Sequence, residues 1–174
     1  MNFLRIPLLL LLTCLSAYSA DTNILTRFLP LNTNCTIKLF AADGGVWLEL
    51  PNKTSKLNFP KSLSFHETQA WQLARLLDDF TTFALKLEEH NMKFFNKHLT
   101  TITVKDDTAK WARSFDATIY VPEDGRALLV LTSEKFGLPV VSEIFDYLEA
   151  RKAIELIKLL PDMQRELTKA APPK

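Results

Sequence analysis

Apolar and polar residues alternate in two stretches of similar shape. In the first, Cys35-Thr36-Ile37-Lys38-Leu39-Phe40 leads through Asp43-Gly44 into Gly45-Val46-Trp47-Leu48-Glu49-Leu50. In the second, Ala117-Thr118-Ile119-Tyr120-Val121 leads through Asp124-Gly125 into Arg126-Ala127-Leu128-Leu129-Val130-Leu131. A period of two marks a strand with one buried face. Asp-Gly supplies the positive φ that a tight hairpin requires. In the first hairpin Val46, Leu48 and Leu50 share one face, and Trp47 and Glu49 point the other way. In the second, Phe115, Ala117, Ile119 and Val121 alternate with Asp116, Thr118 and Tyr120.

A helical period follows each hairpin. Leu73, Leu76, Leu77, Phe80, Phe83, Ala84 and Leu87 recur at the spacing of one helix face. Ser64-Phe65-His66-Glu67 ahead of them fits a capping box, and the pattern predicts a helix to about Phe95. Val141, Ile144, Phe145, Leu148, Ala153, Ile154, Ile157 and Leu160 predict a second helix, opened by Pro139 in its first turn and ended at Pro161. Between the units, Thr100 to Val104 reads as a strand, and Lys56 to Phe59 alternates as a further one. Ile24, Leu25, Phe28 and Leu29 predict a short N-terminal helix.

These elements predict an α+β fold of two β-hairpin-plus-helix halves, about residues 35–95 and 100–161. The two Asp-Gly pairs stand 81 residues apart, the spacing of an internal duplication. The halves are expected to form one domain over residues 21–161, with an antiparallel sheet packed on two long helices. Residues 162–174 end in Ala-Pro-Pro-Lys and are expected to be a flexible C-terminal tail.

The first twenty residues read differently. Arg5, the unbroken Leu8–Leu12 run and the small residues Ser16 to Ala20 have the form of a secretory signal peptide. The apolar run is too short to span a bilayer. The mature chain is therefore expected to be exported, periplasmic or secreted, with no transmembrane segment. Leu11-Leu12-Thr13-Cys14 departs from a lipoprotein cleavage box at Thr13, which makes an anchored Cys14 the minor alternative.

Removal of the leader changes the charge. The whole chain has 21 Lys+Arg and 20 Asp+Glu, and Arg5 alone of these lies in the leader, so the mature chain is formally neutral. Neutrality gives no electrostatic footprint for nucleic acid or an anionic membrane. Cys35 is then the only mature cysteine, so no internal disulfide forms, and its apolar neighbours predict a buried thiol.

Candidate chemistry is sparse. His66, His90 and His98 fit no metal-ligand spacing. Asp78-Asp79 and Glu88-Glu89 are adjacent pairs, and helical neighbours point about 100° apart, so neither pair forms a two-carboxylate site by itself. The four glycines build no phosphate-cradling loop, and no nucleophile elbow is present. No catalytic residue, metal site or cofactor is predicted. Asn34-Cys35-Thr36 and Asn52-Lys53-Thr54 are N-glycosylation triplets. The candidate binding residues are Trp47 and Tyr120, one on the outward face of each hairpin, with Lys38 and Phe40 beside the first. An aromatic-plus-basic face stacks bases or grips a peptide.

The order of two strand-rich halves, each ending in a helix, resembles the layout of Whirly and PC4-like single-strand nucleic-acid binders, which implies single-stranded nucleic acid as an alternative ligand. Export and neutrality favour instead a non-catalytic binding or assembly protein of the cell envelope that acts through a protein partner. A hydrolase would need His90 or His98 gathered with carboxylates in a deep pocket.

Overall fold

The structure is a computed structural model that describes residues 26–42, 45–51, 62–105, 112–135 and 138–170. Its order is β1 (Thr26–Asn32), β2 (Cys35–Ala42), β3 (Gly45–Pro51), β4 (Ser62–His66), α1 (Glu67–Glu89), β5 (Phe95–Lys105), β6 (Ala112–Val121), β7 (Leu128–Lys135), β8 (Leu138–Phe145), α2 (Tyr147–Ile157) and α3 (Leu160–Ala170). The class is α+β. Two four-stranded antiparallel sheets form, sheet A in the order β1-β2-β3-β4 and sheet B in the order β5-β6-β7-β8. Four strands followed by a helix thus occur twice, and strands expected in one sheet are divided between two.

Both predicted hairpins are present. Ala42 pairs with Gly45, so two residues, Asp43 and Gly44, join β2 to β3; they lie outside the described residues. Asp124-Gly125 sits in the β6–β7 connection. Gly125 has φ 79° and its N–H donates to the Pro122 carbonyl at 3.1 Å. That conformation is open to glycine because it lacks a Cβ. Ile37, Leu39, Leu48 and Leu50 in sheet A and Ala117, Ile119, Leu129 and Leu131 in sheet B are all buried. Cross-strand register puts Leu39 opposite Leu48 and Leu48 opposite Phe65, which makes one continuous inner face.

The helices lie against these inner faces. α1 contacts β3 and β4 of sheet A and β5 and β7 of sheet B, and it packs along α2. Its stripe of Leu73, Leu76, Leu77, Phe80, Ala84 and Leu87 is buried, as the helical period requires. Ala150, Ala153 and Ile157 bury the matching side of α2. The apolar residues of both sheets and all three helices form one core. Among the described residues no helix is long and apolar enough to cross a membrane.

Several boundaries differ from the sequence reading. Residues 26–32 form β1 and not a helix, because Leu29 pairs with Ile37 of β2 and Asn32 with Cys35, around an irregularity at Leu31. Ser64 is a strand residue, and His66 is the N-cap of α1, with its backbone N–H held by Gln69 Oε1 at 3.0 Å. The helix ends at Glu89, not Phe95. His90 caps it, Asn91 takes φ 48°, and the N–H groups of Asn91 and Met92 return to the carbonyls of Glu88 and Leu87 at 3.0 and 2.9 Å. This is a Schellman ending with Asn in the left-handed position.

The predicted second helix begins too early. Leu138–Phe145 is a strand, with Leu129 opposite Phe145 and Val130 opposite Ile144. Helix α2 starts only after Asp146, whose Oδ1 accepts from the Glu149 N–H at 2.8 Å in a complete capping box. The expected tail is also corrected. Residues 160–170 form α3, Met163 is fully buried, and Arg27 of β1 reaches Glu166 at 2.7 Å. The expected strand at Lys56 to Phe59 and the leader lie outside the described residues.

Candidate binding surface

Strand pairing determines which side chains can meet. On the outer face of sheet A one row runs Thr26, Phe40, Trp47, His66, and the next runs Phe28, Lys38, Glu49, Ser64. Three of the four predicted binding residues, Lys38, Phe40 and Trp47, are therefore neighbours. Phe40 stacks beside Trp47, with ring centroids 6.4 Å apart and planes inclined by 16°. Trp47 meets His66 edge-on at 5.1 Å and 82°. Its Nε1–H donates to the Ala42 carbonyl at 3.2 Å. Lys38 Nζ lies 4.6 Å from the Phe40 centroid and 3.4 Å from Glu49 Oε2.

The outward position of Trp47 does not leave it accessible. Only 5% of it is exposed, because Phe40 and His66 stand on either side of it along the row. It is the base of the cluster. The accessible aromatic is Phe28, 68% exposed on the edge strand β1, opposite Lys38 and diagonal to Phe40. Diagonal pairs on a sheet face lie within reach of aromatic side chains. Sequence reading missed Phe28 by assigning it to a helix. The usable signal was the alternation of Phe28 and Pro30 with Leu29 and Leu31.

Tyr120 belongs elsewhere. It lies on the outer face of sheet B, opposite Asn96 and Leu128, and is 43% exposed. The fold does not bring it to the Lys38–Phe40–Trp47 cluster. Polar side chains share its face. Thr101 Oγ1 donates to Asp116 Oδ1 at 2.7 Å, and His98 Nε2 is 3.6 Å from the same oxygen.

A groove of about 380 Å³ opens between α1 and β5, lined by Leu76, Asp79, Thr82, Phe83, Leu99 and Thr100. Neither His90 nor His98 lines it. His90 Nδ1–H donates to the Lys86 carbonyl at 2.8 Å, which closes the helix end. Among the described residues, no three His, Cys, Asp or Glu side chains are grouped to hold a metal ion. Cys35 is buried on the inner face of β2.

No protein-family model matches the chain, and none of the curated proteins does. A solved structure of MRP1/MRP2 from Trypanosoma bruciei aligns over 94% of this chain and 98% of that one, at 10% identity and a TM-score of 0.29. That score is too low to place the chain in a fold family.

Proposed function

We propose that the chain is an exported, non-catalytic binding protein of the cell envelope that engages a protein partner through the outer face of sheet A. The observation that carries this reading is Phe28, an aromatic side chain 68% exposed beside a fixed cluster of Lys38, Phe40 and Trp47. Energetically dominant interface residues are typically aromatic anchors set in ordered surroundings. Lys38 is held over Phe40 and balanced by Glu49. A cation paired in this way leaves little charge for phosphate, which favours a protein ligand over nucleic acid. Export rests on the leader pattern of Arg5, Leu8–Leu12 and the small residues to Ala20.

Two measurements test the reading. Capture from native envelope extract should compare wild type with Phe28→Ala, Phe40→Ala and, as the control on the other sheet, Tyr120→Ala. Phe28→Ala should lower partner recovery about tenfold, the equivalent of roughly 1.4 kcal/mol, while Tyr120→Ala leaves it unchanged. Equal recovery from all four proteins refutes this surface. Trp47→Ala is unsuitable, because it removes a buried ring and tests folding instead. Mass spectrometry of the native N-terminus tests export: retention of Met1 would exclude it, and an acylated Cys14 would replace free export with lipid anchoring.

A further inference from the structure

Asparagine at a tight turn usually serves the turn itself, by taking a left-handed conformation or by making an Asx hydrogen bond. The hairpin joining β1 to β2 holds two asparagines, and only one of them has such a duty. Asn32 pairs with Cys35, so Thr33 and Asn34 are the connecting residues. Oδ1 of Asn32 accepts from the Asn34 N–H at 2.8 Å, and its Nδ2 donates to Oε1 of Glu149 in the first turn of α2. Asn32 therefore closes the turn and ties it to the body of the molecule. Asn34 does neither. Among the described residues, the non-glycine positions with positive φ are Asn91 and Phe94, so Asn34 is not left-handed. Its side-chain amide makes no hydrogen bond among the described residues, and the residue is exposed.

Asn34 opens the triplet Asn34-Cys35-Thr36, the acceptor pattern for an N-linked glycan. Triplets of this kind arise by chance, and the fold decides whether so bulky a group fits. Here it sorts the three residues. Cys35 turns into the core at 6% exposure, whereas Asn34 before it and Thr36 after it are exposed. A glycan on Asn34 would leave from a surface turn, where no packed side chain has to move and no bond has to break. Thr36 supplies the hydroxyl that the pattern requires two residues on. The second triplet, Asn52-Lys53-Thr54, lies outside the described residues and takes no part in the argument.

We propose that Asn34 is an N-glycan acceptor. The proposal rests on the export inferred from the leader, and it directs that export to a lumen holding a lipid-diphosphate-linked oligosaccharide as donor. In the transfer, Nδ2 of Asn34 bonds to the anomeric carbon of the oligosaccharide. The bond from that carbon to the diphosphate oxygen breaks, the amide gives up one proton, and the lipid diphosphate leaves.

Peptide mass spectrometry of the protein from its native host tests the proposal, since it reads Asn34 and the N-terminus in one sample. The peptide that contains Asn34 should carry a glycan that peptide-N-glycosidase releases. Thr36→Ala should abolish the modification, and Thr36→Ser should keep it. In the full chain made without glycan, Asn34→Gln should leave the melting temperature unchanged, because the amide holds nothing in place. A processed N-terminus with a bare Asn34 overturns the glycan and leaves export standing, whereas a retained Met1 overturns both. A glycan on Asn34 that survives Thr36→Ala overturns the assigned triplet. A lowered melting temperature for Asn34→Gln also overturns the proposal, since it would show that the turn itself needs this side chain.

Discussion

A Cβ placed on Gly45 would lie 2.7 Å from Nε2 of His66. The two residues come from strands β3 and β4, and the imidazole occupies the space that any side chain at 45 would need. The ring is not free to swing aside without loss, because it stands 5.1 Å from the Trp47 ring in a T-shaped contact and its Nδ1 is 3.4 Å from Thr68 Oγ1. Gly45→Ala should therefore destabilise the fold by about 1–3 kcal/mol, the usual range for overpacking. Denaturant unfolding measures it. In a double-mutant cycle His66→Ala should recover most of the loss, since the clash is between these two residues. An effect below about half a kcal/mol would mean that His66 moves away at almost no cost.

The helix stripes make a second prediction. Leu77 on α1 and Ile157 on α2 are both fully buried in the common core. Leu77→Ala and Ile157→Ala should each cost about 2–5 kcal/mol, from lost transfer energy plus the cavity left behind. Unchanged midpoints for both would contradict the burial of these faces.

The third concerns α3, where burial and surface charge can be separated. Met163 is fully buried, whereas the Arg27–Glu166 pair is 40% and 48% exposed at its two side chains. Met163→Ala should cost about 2–5 kcal/mol. Glu166→Gln should cost less than about 1 kcal/mol and should lose even that in high salt, since exposed pairs are weak and screened. If the charge substitution proves the more harmful of the two, α3 is held by its surface and not by the core.

Legibility in the sequence followed the period of each segment. β2, β6 and β7 were readable because their inner and outer positions alternate, as in Ile37, Leu39 against Thr36, Lys38, and β3 because Val46, Leu48 and Leu50 keep the same period although Trp47 between them is also buried. The α1 stripe was readable for the same reason at period 3.6. β8 was lost because Val141, Ile144, Phe145 and Leu148 happen to fall at helical spacing. The structure instead puts Phe145 on the inner face of sheet B and Ile144 on the outer face, and also buries Glu143 inward, a residue that a helical reading assigns to solvent. β4 was lost because Ser64 and Glu67 look like a cap, although the cap falls on His66, two residues on. The division into two sheets has no local signature, since pairing partners are set by tertiary packing. In the candidate surface, parity placed Trp47 correctly on the outer face. It could not show that Phe40 and His66 would bury it, because that depends on register across three strands.

The chain closes on itself at sheet A. Strand β1 contacts α2, and β2 and β3 contact α3, so the inner face of the first sheet is completed by the last elements of the chain. On a ribosome moving at about 5–20 residues per second, the stretch from Glu89 to Ala170 takes on the order of 4–16 s to synthesise. Through that interval β3 and β4 have α1 against them, but β2 and β3 lack α3. The first half must therefore wait, partly uncovered, for the second, and an emerging chain of this kind has its greatest need of a chaperone before α3 is made.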